Sequence, residues 1–236
     1  MGPLVFVHGA GLSAATWQYQ LEHFPDAKAV NLPGHGGSGP DPLETISEYA
    51  SWLGNQVRAI GPDPVTLVGH SMGSLIALET AARNVDMVAG LVLVATAAEM
   101  RVPTDLLEAA RNKDTTAAAM LIKLSLPRHR GYGRPKDWII RMSGEFLTAA
   151  ESGVLAADLE ACDTYRDTVA MAERVRCPTL LILGEKDVMT RPSAAQPLAA
   201  ALADARIIVV EKAGHMLPLE TPDGVTEAIS LFSSID

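Results

Sequence analysis

The strongest chemical signal in the sequence is the pentapeptide GHSMG at residues 69–73. The apolar run Val65–Val68 comes directly before it, and a helical pattern over Ser74–Arg83 follows it. Glycines two positions before and two positions after a serine permit the sharp, strained turn from strand to helix that exposes a nucleophilic hydroxyl group. We therefore predict that Ser71 is a nucleophile that attacks a carbonyl carbon.

Two further residues are predicted to complete a catalytic triad, because a serine hydroxyl group is a weak nucleophile and needs a base. His215 follows the last apolar run of the chain, so we expect it at the carboxyl edge of the sheet, where open α/β folds bind ligands. Asp187 follows the preceding run and is the predicted carboxylate that orients the imidazole. Glu99 is the alternative acid, and Asp187 could instead cap a helix near Pro192.

Two backbone N–H groups are predicted to form an oxyanion hole. The first apolar run ends in the sequence HGAG at residues 8–11, a turn that can aim the N–H group of Ala10 at developing negative charge. The helix after Ser71 would offer the N–H group of Met72 from its positive dipole end.

Four residues are candidates for contact with the substrate: Gly9, His70, Trp138 and Met216. Trp138 could line an apolar acyl pocket, although most apolar side chains near it are expected to pack between helices. His8 and His35 lie in glycine-rich loops, where a buried, hydrogen-bonded structural role is favoured over catalysis.

Six short apolar runs predict the sheet that positions these residues. They are Leu4–Val7, Ala27–Leu32, Val65–Val68, Gly90–Val94, Thr179–Leu183 and Ile207–Val210. Apolar runs of this length, rich in β-branched residues, are typical of parallel strands that are covered on both faces. Amphipathic stretches such as Thr45–Ile60, Ser193–Ala203 and Pro222–Phe232 separate or follow them. The alternation predicts an α/β fold with a mostly parallel sheet of about six strands flanked by helices.

About 80 residues between the fourth and fifth runs contain no convincing strand. Helical patterns cover Thr104–Met120, Ile139–Ala150 and Ser152–Arg174. An excursion of this length inside a compact domain is usually functional. We predict a helical cap inserted before the penultimate strand, with core residues 1–97, cap residues 98–176 and core residues 177–236.

Composition and charge exclude several function classes. The chain has 236 residues and a net charge of −9, and this acidic balance argues against a nucleic-acid partner. No apolar run approaches the roughly 18 residues needed to cross a bilayer, and Met1–His8 lacks the features of a signal peptide. Cys162 and Cys177 show no disulfide or zinc spacing. We expect a cytoplasmic monomer or homodimer without metal or cofactor.

One segment of the predicted cap is basic. Lys123–Arg141 contains six Lys and Arg residues against one acidic residue, Asp137. Such a patch beside a pocket could hold an anionic ester or lactone. A solvated loop on the outer face of the cap is the alternative interpretation, and the favoured one.

These motifs resemble those of the α/β-hydrolase superfamily. The resemblance rests on HGAG at 8–11, LPGHGGS at 32–38, GHSMG at 69–73, GEKD at 184–187 and GH at 214–215, which run from the first strand to the last. It implies an ordered Ser-Asp-His triad and an ester or acyl pocket covered by a cap. Within the superfamily the chain is most similar to small bacterial esterases, enol-lactonases and cofactor-free haloperoxidase-like hydrolases.

The sequence also departs from the family pattern. Relatives commonly have two antiparallel strands before the run that is Leu4–Val7 here, so we expect about six strands instead of eight. Ala27–Leu32 would then be an exposed edge that could pair with a second copy. Asn31 stands where relatives often have aspartate. Ser71, in place of the aspartate found in haloalkane dehalogenases and epoxide hydrolases, disfavours those two activities.

The sequence therefore predicts a serine hydrolase that cleaves a carboxylic ester or lactone through an acyl-enzyme. A C–C bond hydrolase of the meta-cleavage type with the same triad is one alternative, weakened by Met216 where those enzymes often carry tryptophan. A small-molecule receptor or signalling protein on a hydrolase scaffold is another.

Overall fold

Six parallel strands form one sheet in the computed structural model, which describes residues 2–39, 41–112, 116–126 and 153–234. The strands are β1 (Leu4–Val7), β2 (Lys28–Val30), β3 (Val65–His70), β4 (Val88–Val94), β5 (Thr179–Gly184) and β6 (Ala205–Val210). Their order across the sheet is β2-β1-β3-β4-β5-β6. The predicted α/β fold with a parallel sheet of about six strands is confirmed.

Helices connect the strands. They are α1 (Gln18–His23), α2 (Ile46–Ile60), α3 (Met72–Arg83), α4 (Thr104–Arg111), α5 (Thr116–Ser125), α6 (Val154–Thr164), α7 (Thr168–Ala172), α8 (Gln196–Ala201), α9 (Leu217–Glu220) and α10 (Pro222–Ser233). Short 3₁₀ turns at Ala14–Trp17 and Pro192–Ala195 precede α1 and α8. Among the described residues, no helix is both long and apolar enough to cross a membrane.

Helices α4 to α7 lie between β4 and β5, where the sequence predicts a helical insertion. Two of the helices predicted there are shorter in the structure than the sequence indicates. The predicted helix Thr104–Met120 ends at Arg111, and residues 116–120 belong to a second helix, Thr116–Ser125. The predicted helix Ser152–Arg174 is interrupted at Tyr165, whose backbone is extended. The predicted helix Ile139–Ala150 lies outside the described residues.

Helix α2 shows how local sequence sets an element boundary. The side chain of Thr45 accepts a hydrogen bond from the N–H group of Glu48, and the carboxylate of Glu48 accepts one from the N–H group of Thr45. This capping box satisfies donors that the first helical turn leaves unpaired. Tyr49 and Leu53 lie on the buried face of the helix, as the predicted spacing requires.

The sheet has a hydrophobic core on each face, because alternate residues of a strand point to opposite sides. On one side Val5 and Val7 pack in a cluster that includes α2 and α3. On the other side Leu4 and Phe6 pack in a cluster that includes α10. Two covered faces explain the continuous apolar runs of the central strands.

The outer strand β6 corrects one expectation. Its apolar sequence predicts coverage on both faces, but Ile207, Ile208 and Val209 are 39%, 37% and 46% exposed. The strand is at the edge of the sheet and has a neighbouring strand on one side only. Strand β2 forms the opposite edge, as predicted, and its pairing with a second copy stays a prediction.

The glycine at position 69 is required by close packing, and this leads to a stability prediction. A Cβ atom at Gly69 would overlap the backbone carbonyl group of Gly73, which cannot rotate away. Overpacking of this kind costs about 3 kcal/mol, so Gly69→Ala should lower Tm by about 10 °C in thermal unfolding. Gly224→Ala is the control, because a Cβ atom there meets no atom within 4 Å. Equal Tm values for the two variants would contradict the prediction.

Candidate active site

Ser71 occupies a strained turn between β3 and α3. Its backbone has φ 53° and ψ −121°, a left-handed conformation that residues other than glycine rarely adopt. Such strain persists only where the surroundings hold it in place. The N–H group of Ser71 donates to the carbonyl group of Val94, and the N–H group of Ser74 donates to that of Ser71. The predicted context of strand, sharp turn and helix is therefore present.

The structure brings Ser71, His215 and Asp187 together at the carboxyl edge of the sheet. The Oγ atom of Ser71 is 2.9 Å from Nε2 of His215. On the other side of the ring, Nδ1 of His215 is 2.7 Å from Oδ2 of Asp187. Glu99, the alternative acid, lies at the surface and pairs with Arg101 at 3.0 Å.

Asp187 accepts hydrogen bonds on both carboxylate oxygens. Oδ1 accepts from the N–H groups of Met189 and Thr190, and Oδ2 accepts from the Thr190 hydroxyl group as well as from His215. Burial alone would raise the pKa of Asp187, but the charge of His215 and these hydrogen bonds lower it well below its usual range. Asp187 is thus an anion bonded within its own loop, and it does not cap the turn at Pro192.

His70 supports the loop that carries His215. Its Nε2–H group donates to the carbonyl oxygen of His215 at 2.8 Å, which assigns the proton to Nε2 because a carbonyl oxygen only accepts. Burial lowers the pKa of His70 to about 3, so the ring is neutral. Its side chain also lines the pocket above Ser71.

Glu220 is a buried carboxylate that sequence reasoning missed. Its Oε2 atom accepts from the N–H group of Gly214 at 2.9 Å, and Oε1 accepts from that of Met216 at 2.8 Å. These two bonds fix the backbone on either side of His215. Burial raises the pKa of Glu220 to about 7, although the two hydrogen bonds oppose the shift. The acidic residue that ends the otherwise apolar segment MLPLE, residues 216–220, is the one sequence signal that could have indicated this buried carboxylate.

Replacing Glu220 by glutamine should weaken catalysis without removing any reacting group. Glutamine has a single acceptor oxygen, so its amide group would face the N–H group of either Gly214 or Met216 and displace the loop. Small misplacements of catalytic groups can cost about 10²-fold in rate, and we expect kcat to fall about 10- to 100-fold. Steady-state kinetics of Glu220→Gln against Glu227→Gln, an exposed control, measures this. A kcat equal to that of the control would contradict the prediction.

A pocket of about 60 Å³ opens above Ser71. The turn after β1 and the helical insertion supply most of its apolar wall, which includes Leu12, Val102, Leu121, Leu126, Leu159 and Met189. Of the predicted contacts, Gly9, His70 and Met216 line the pocket, as does Ala10. Trp138 lies outside the described residues, as does the part of the basic segment from residue 127 onward.

Two side chains of the pocket wall are not among the four contacts predicted from the sequence. Met189 lines the pocket. Cys162 also lines the pocket, and burial raises the pKa of its thiol, so the group stays a weakly reactive neutral thiol.

The two residues predicted to form the oxyanion hole lie in the loop after β1 and directly after Ser71. Ala10 belongs to the loop after β1 and contributes to the same pocket as Ser71. Met72 is the first residue of α3, so its N–H group lies at the helix N-terminus while its side chain is buried in the core. The use of these N–H groups by an oxyanion stays a prediction.

Comparison with known proteins places the chain in a family. Residues 4–228 match the model of the alpha/beta hydrolase family. The chain belongs to the α/β-hydrolase family. A pimeloyl-[acyl-carrier protein] methyl ester esterase of Chromobacterium violaceum is 31% identical over 91% of this chain and 87% of its own length. An (E)-2-((N-methylformamido)methylene)succinate hydrolase of Acinetobacter baylyi is 25% identical over 96% and 88%.

A solved structure of the same fold agrees with this α/β-hydrolase assignment. The enol-lactonase from Burkholderia xenovorans LB400 superposes with a TM-score of 0.87, and the match covers 100% of this chain and 92% of that one. Its sequence identity is 22%, so the similarity shows the fold.

Proposed function

We propose that this α/β-hydrolase cleaves a carboxylic ester or lactone through an acyl-enzyme, with Ser71 as nucleophile. The observation that carries the proposal is the continuous hydrogen-bonded series from Asp187 through His215 to Ser71, which ends beneath an apolar pocket. The name of the methyl ester esterase among the relatives supports an ester over other acyl substrates.

In the acylation step, Ser71 Oγ attacks the carbonyl carbon while its proton moves to Nε2 of His215. The carbonyl oxygen becomes an oxyanion that accepts hydrogen bonds from the N–H groups of Ala10 and Met72. Asp187 keeps the proton of His215 on Nδ1, so that Nε2 is free to accept. His215 then protonates the leaving oxygen, and the alcohol departs or the lactone ring opens.

In the deacylation step, the same groups act on water. Nε2 of His215 takes a proton from a water molecule, and the resulting oxygen nucleophile attacks the acyl carbon. The oxyanion again lies between Ala10 and Met72. Collapse of this intermediate returns the proton to Ser71 and releases the carboxylic acid.

The pocket wall supports an apolar acyl group, because Leu121, Leu159 and Met189 contribute apolar surface beside Ser71. A solvated loop is the favoured interpretation of the basic segment Lys123–Arg141. Recognition of a substrate carboxylate by this segment is the alternative, which carboxylate-bearing esters test.

A substrate panel with active-site titration tests the proposal. The panel contains p-nitrophenyl esters of increasing acyl length, lactones, thioesters, carboxylate-bearing esters and a vinylogous C–C diketone. We expect turnover of short-chain esters or lactones and covalent labelling of Ser71 by a fluorophosphonate, read by mass spectrometry. Turnover of the diketone alone would indicate a C–C hydrolase. Labelling with less than one turnover per hour on every substrate would indicate a receptor.

A further inference from the structure

A second buried pair of histidine and carboxylate lies outside the proposed triad and joins the helical insertion to the core. Asp158 is on α6, and His35 is in the loop after β2. Nε2 of His35 is 2.7 Å from Oδ2 of Asp158, and both side chains are 0% exposed. Burying two charged groups is costly unless their geometry and remaining hydrogen bonds are good, so such a pair calls for a physical account.

The hydrogen-bond partners favour the imidazolium form of His35. Its Nδ1 atom is 2.9 Å from the carbonyl oxygen of Pro33, which only accepts, so Nδ1 carries a proton. Its Nε2 atom faces Asp158, whose two oxygens also accept from the N–H group of Gly11 at 2.7 Å and from the hydroxyl group of Tyr49 at 2.9 Å. With Gly11 and Tyr49 donating to Asp158, a proton on Nε2 gives the carboxylate a third donor, a charge-assisted hydrogen bond that favours the doubly protonated ring.

The titratable groups around the pair agree with this assignment. Burial alone would lower the pKa of His35, but the hydrogen bond and charge of Asp158 raise it above 6.5. The ring of His8 lies 4.7 Å from that of His35, and burial together with the charge of His35 lowers the pKa of His8 to about 3. Burial raises the pKa of Tyr49 and of Cys162, so both are neutral. Asp158 is the carboxylate that faces His35 among the described residues.

The pair acts on the loop that carries the proposed oxyanion hole. Asp158 holds the N–H group of Gly11, whose φ is +64°, and the N–H group of Leu12 closes the same turn on the carbonyl group of Gly9. Ala10 lies between these two bonds. Leu159, the neighbour of Asp158 on α6, lines the pocket. One carboxylate thus sets the position of the turn and of the pocket wall above it.

We propose that Asp158 and His35 are positioning residues for the reaction: their buried ion pair holds the 9–12 turn so that the N–H group of Ala10 is aimed at the oxyanion. The inference rests on the proposed function for its kinetic consequence, whereas the ion pair itself can be tested without any substrate.

Asp158→Asn tests the proposal, because an amide nitrogen cannot accept a hydrogen bond from Gly11, Tyr49 or His35. We expect kcat on the best ester to fall about 10- to 100-fold with KM changed less than about 3-fold, since the lost alignment matters mainly in the transition state. Glu160→Gln is the matched control. Glu160 is a carboxylate on the same helix that pairs with Arg111 at 2.6 Å on the surface, and its replacement should leave kcat unchanged.

A double-mutant cycle shows whether the two residues act together. If the ion pair is the functional unit, His35→Gln with Asp158→Asn should lower kcat no further than the worse single variant. Tyr49→Phe removes one donor to Asp158 and keeps the rest of the cluster, so it serves if Asp158→Asn fails to fold. We expect Tyr49→Phe to lower kcat about 3-fold, and an unchanged kcat for this variant would overturn the proposal.

The protonation state gives a readout that is independent of turnover. In ¹⁵N spectra of the histidine rings, His35 should show two protonated nitrogens at pH 6.5, and Asp158→Asn should remove that signature. Because the folded-state pKa of His35 is raised above 6.5, its contribution to stability is complete below that pH. The contribution is lost as pH rises through the folded-state pKa. The free energy of unfolding of the Asp158→Asn variant should therefore fall less than that of the wild type as pH rises through this range.

The outcomes separate this proposal from the proposed function. If Asp158→Asn lowers Tm but leaves kcat and the rate of fluorophosphonate labelling of Ser71 unchanged, the pair is only structural and the proposal is overturned. If the wild type turns over no ester or lactone while Asp158→Asn still slows labelling of Ser71 about 10-fold, the positioning role stands and the proposed substrate class falls.

Discussion

Ser71→Ala is expected to lower kcat for ester hydrolysis by about 10⁵-fold or more, because loss of the nucleophile of a triad removes nearly all of its rate advantage. The residual rate would come from binding and from the oxyanion hole acting on direct attack by water. The same variant should not be labelled by a fluorophosphonate, since no other described residue places a hydroxyl group 2.9 Å from Nε2 of His215.

The control for this experiment is Ser51→Ala. Ser51 is an exposed serine on α2, and among the described residues its hydroxyl group bonds to groups on α2 and α3. The control should keep wild-type kcat and full labelling. If Ser71→Ala keeps more than about 1% of wild-type kcat, with turnover that scales with the concentration of purified variant, the acyl-enzyme mechanism is wrong.

Asp187→Asn should lower kcat about 10³- to 10⁴-fold through the tautomer of His215. The N–H groups of Met189 and Thr190 donate to Oδ1, so they favour the amide oxygen at that position. The amide NH₂ group would then face Nδ1 of His215. This arrangement places the imidazole proton on Nε2, so the Nε2 atom cannot accept the proton of Ser71.

Stability at low pH should change in the same variant, and the direction follows from the lowered pKa of Asp187. A carboxylate of lowered pKa stabilises the fold at pH values above its ordinary pKa of 3.8, and this contribution is lost as pH falls. The free energy of unfolding of Asp187→Asn should therefore fall less steeply than that of the wild type as pH decreases. Asp223→Asn, an exposed control, should match the wild type in kcat and in the pH dependence of its unfolding free energy at acidic pH. Wild-type kcat in Asp187→Asn would exclude Asp187 as the residue that orients His215.

Local sequence patterns were sufficient to predict the strands and the turn that position the site. The run Leu4–Val7 is the strand β1 without change, and Thr179–Leu183 differs from β5 by one residue. Short apolar runs bounded by glycine leave few alternatives to buried parallel strands. The strained turn at Ser71 was predicted in the same way, because Gly69 and Ser71 lie two residues apart in a turn whose geometry is set by the local chain.

Local signals also failed at particular places. The apolar run of β6 does not show that Ile207–Val209 would be half-exposed, since position within a sheet depends on strand order and not on composition. The Ala-rich segment after Thr104 predicts one helix, but α4 ends at Arg111, since propensity alone does not fix where a helix stops.

By itself, the sequence determined the α/β frame, the strained serine turn and the order in which Ser71, Asp187 and His215 reach one edge of the sheet. Only the tertiary structure showed that Glu220 accepts hydrogen bonds from the backbone on both sides of His215. It also showed that His35 pairs with Asp158, which is 123 residues away. Periodicity and turn chemistry act over a few residues and can be read along the chain. A buried charge finds its partner through the packing of distant elements, and that packing is set by the whole fold.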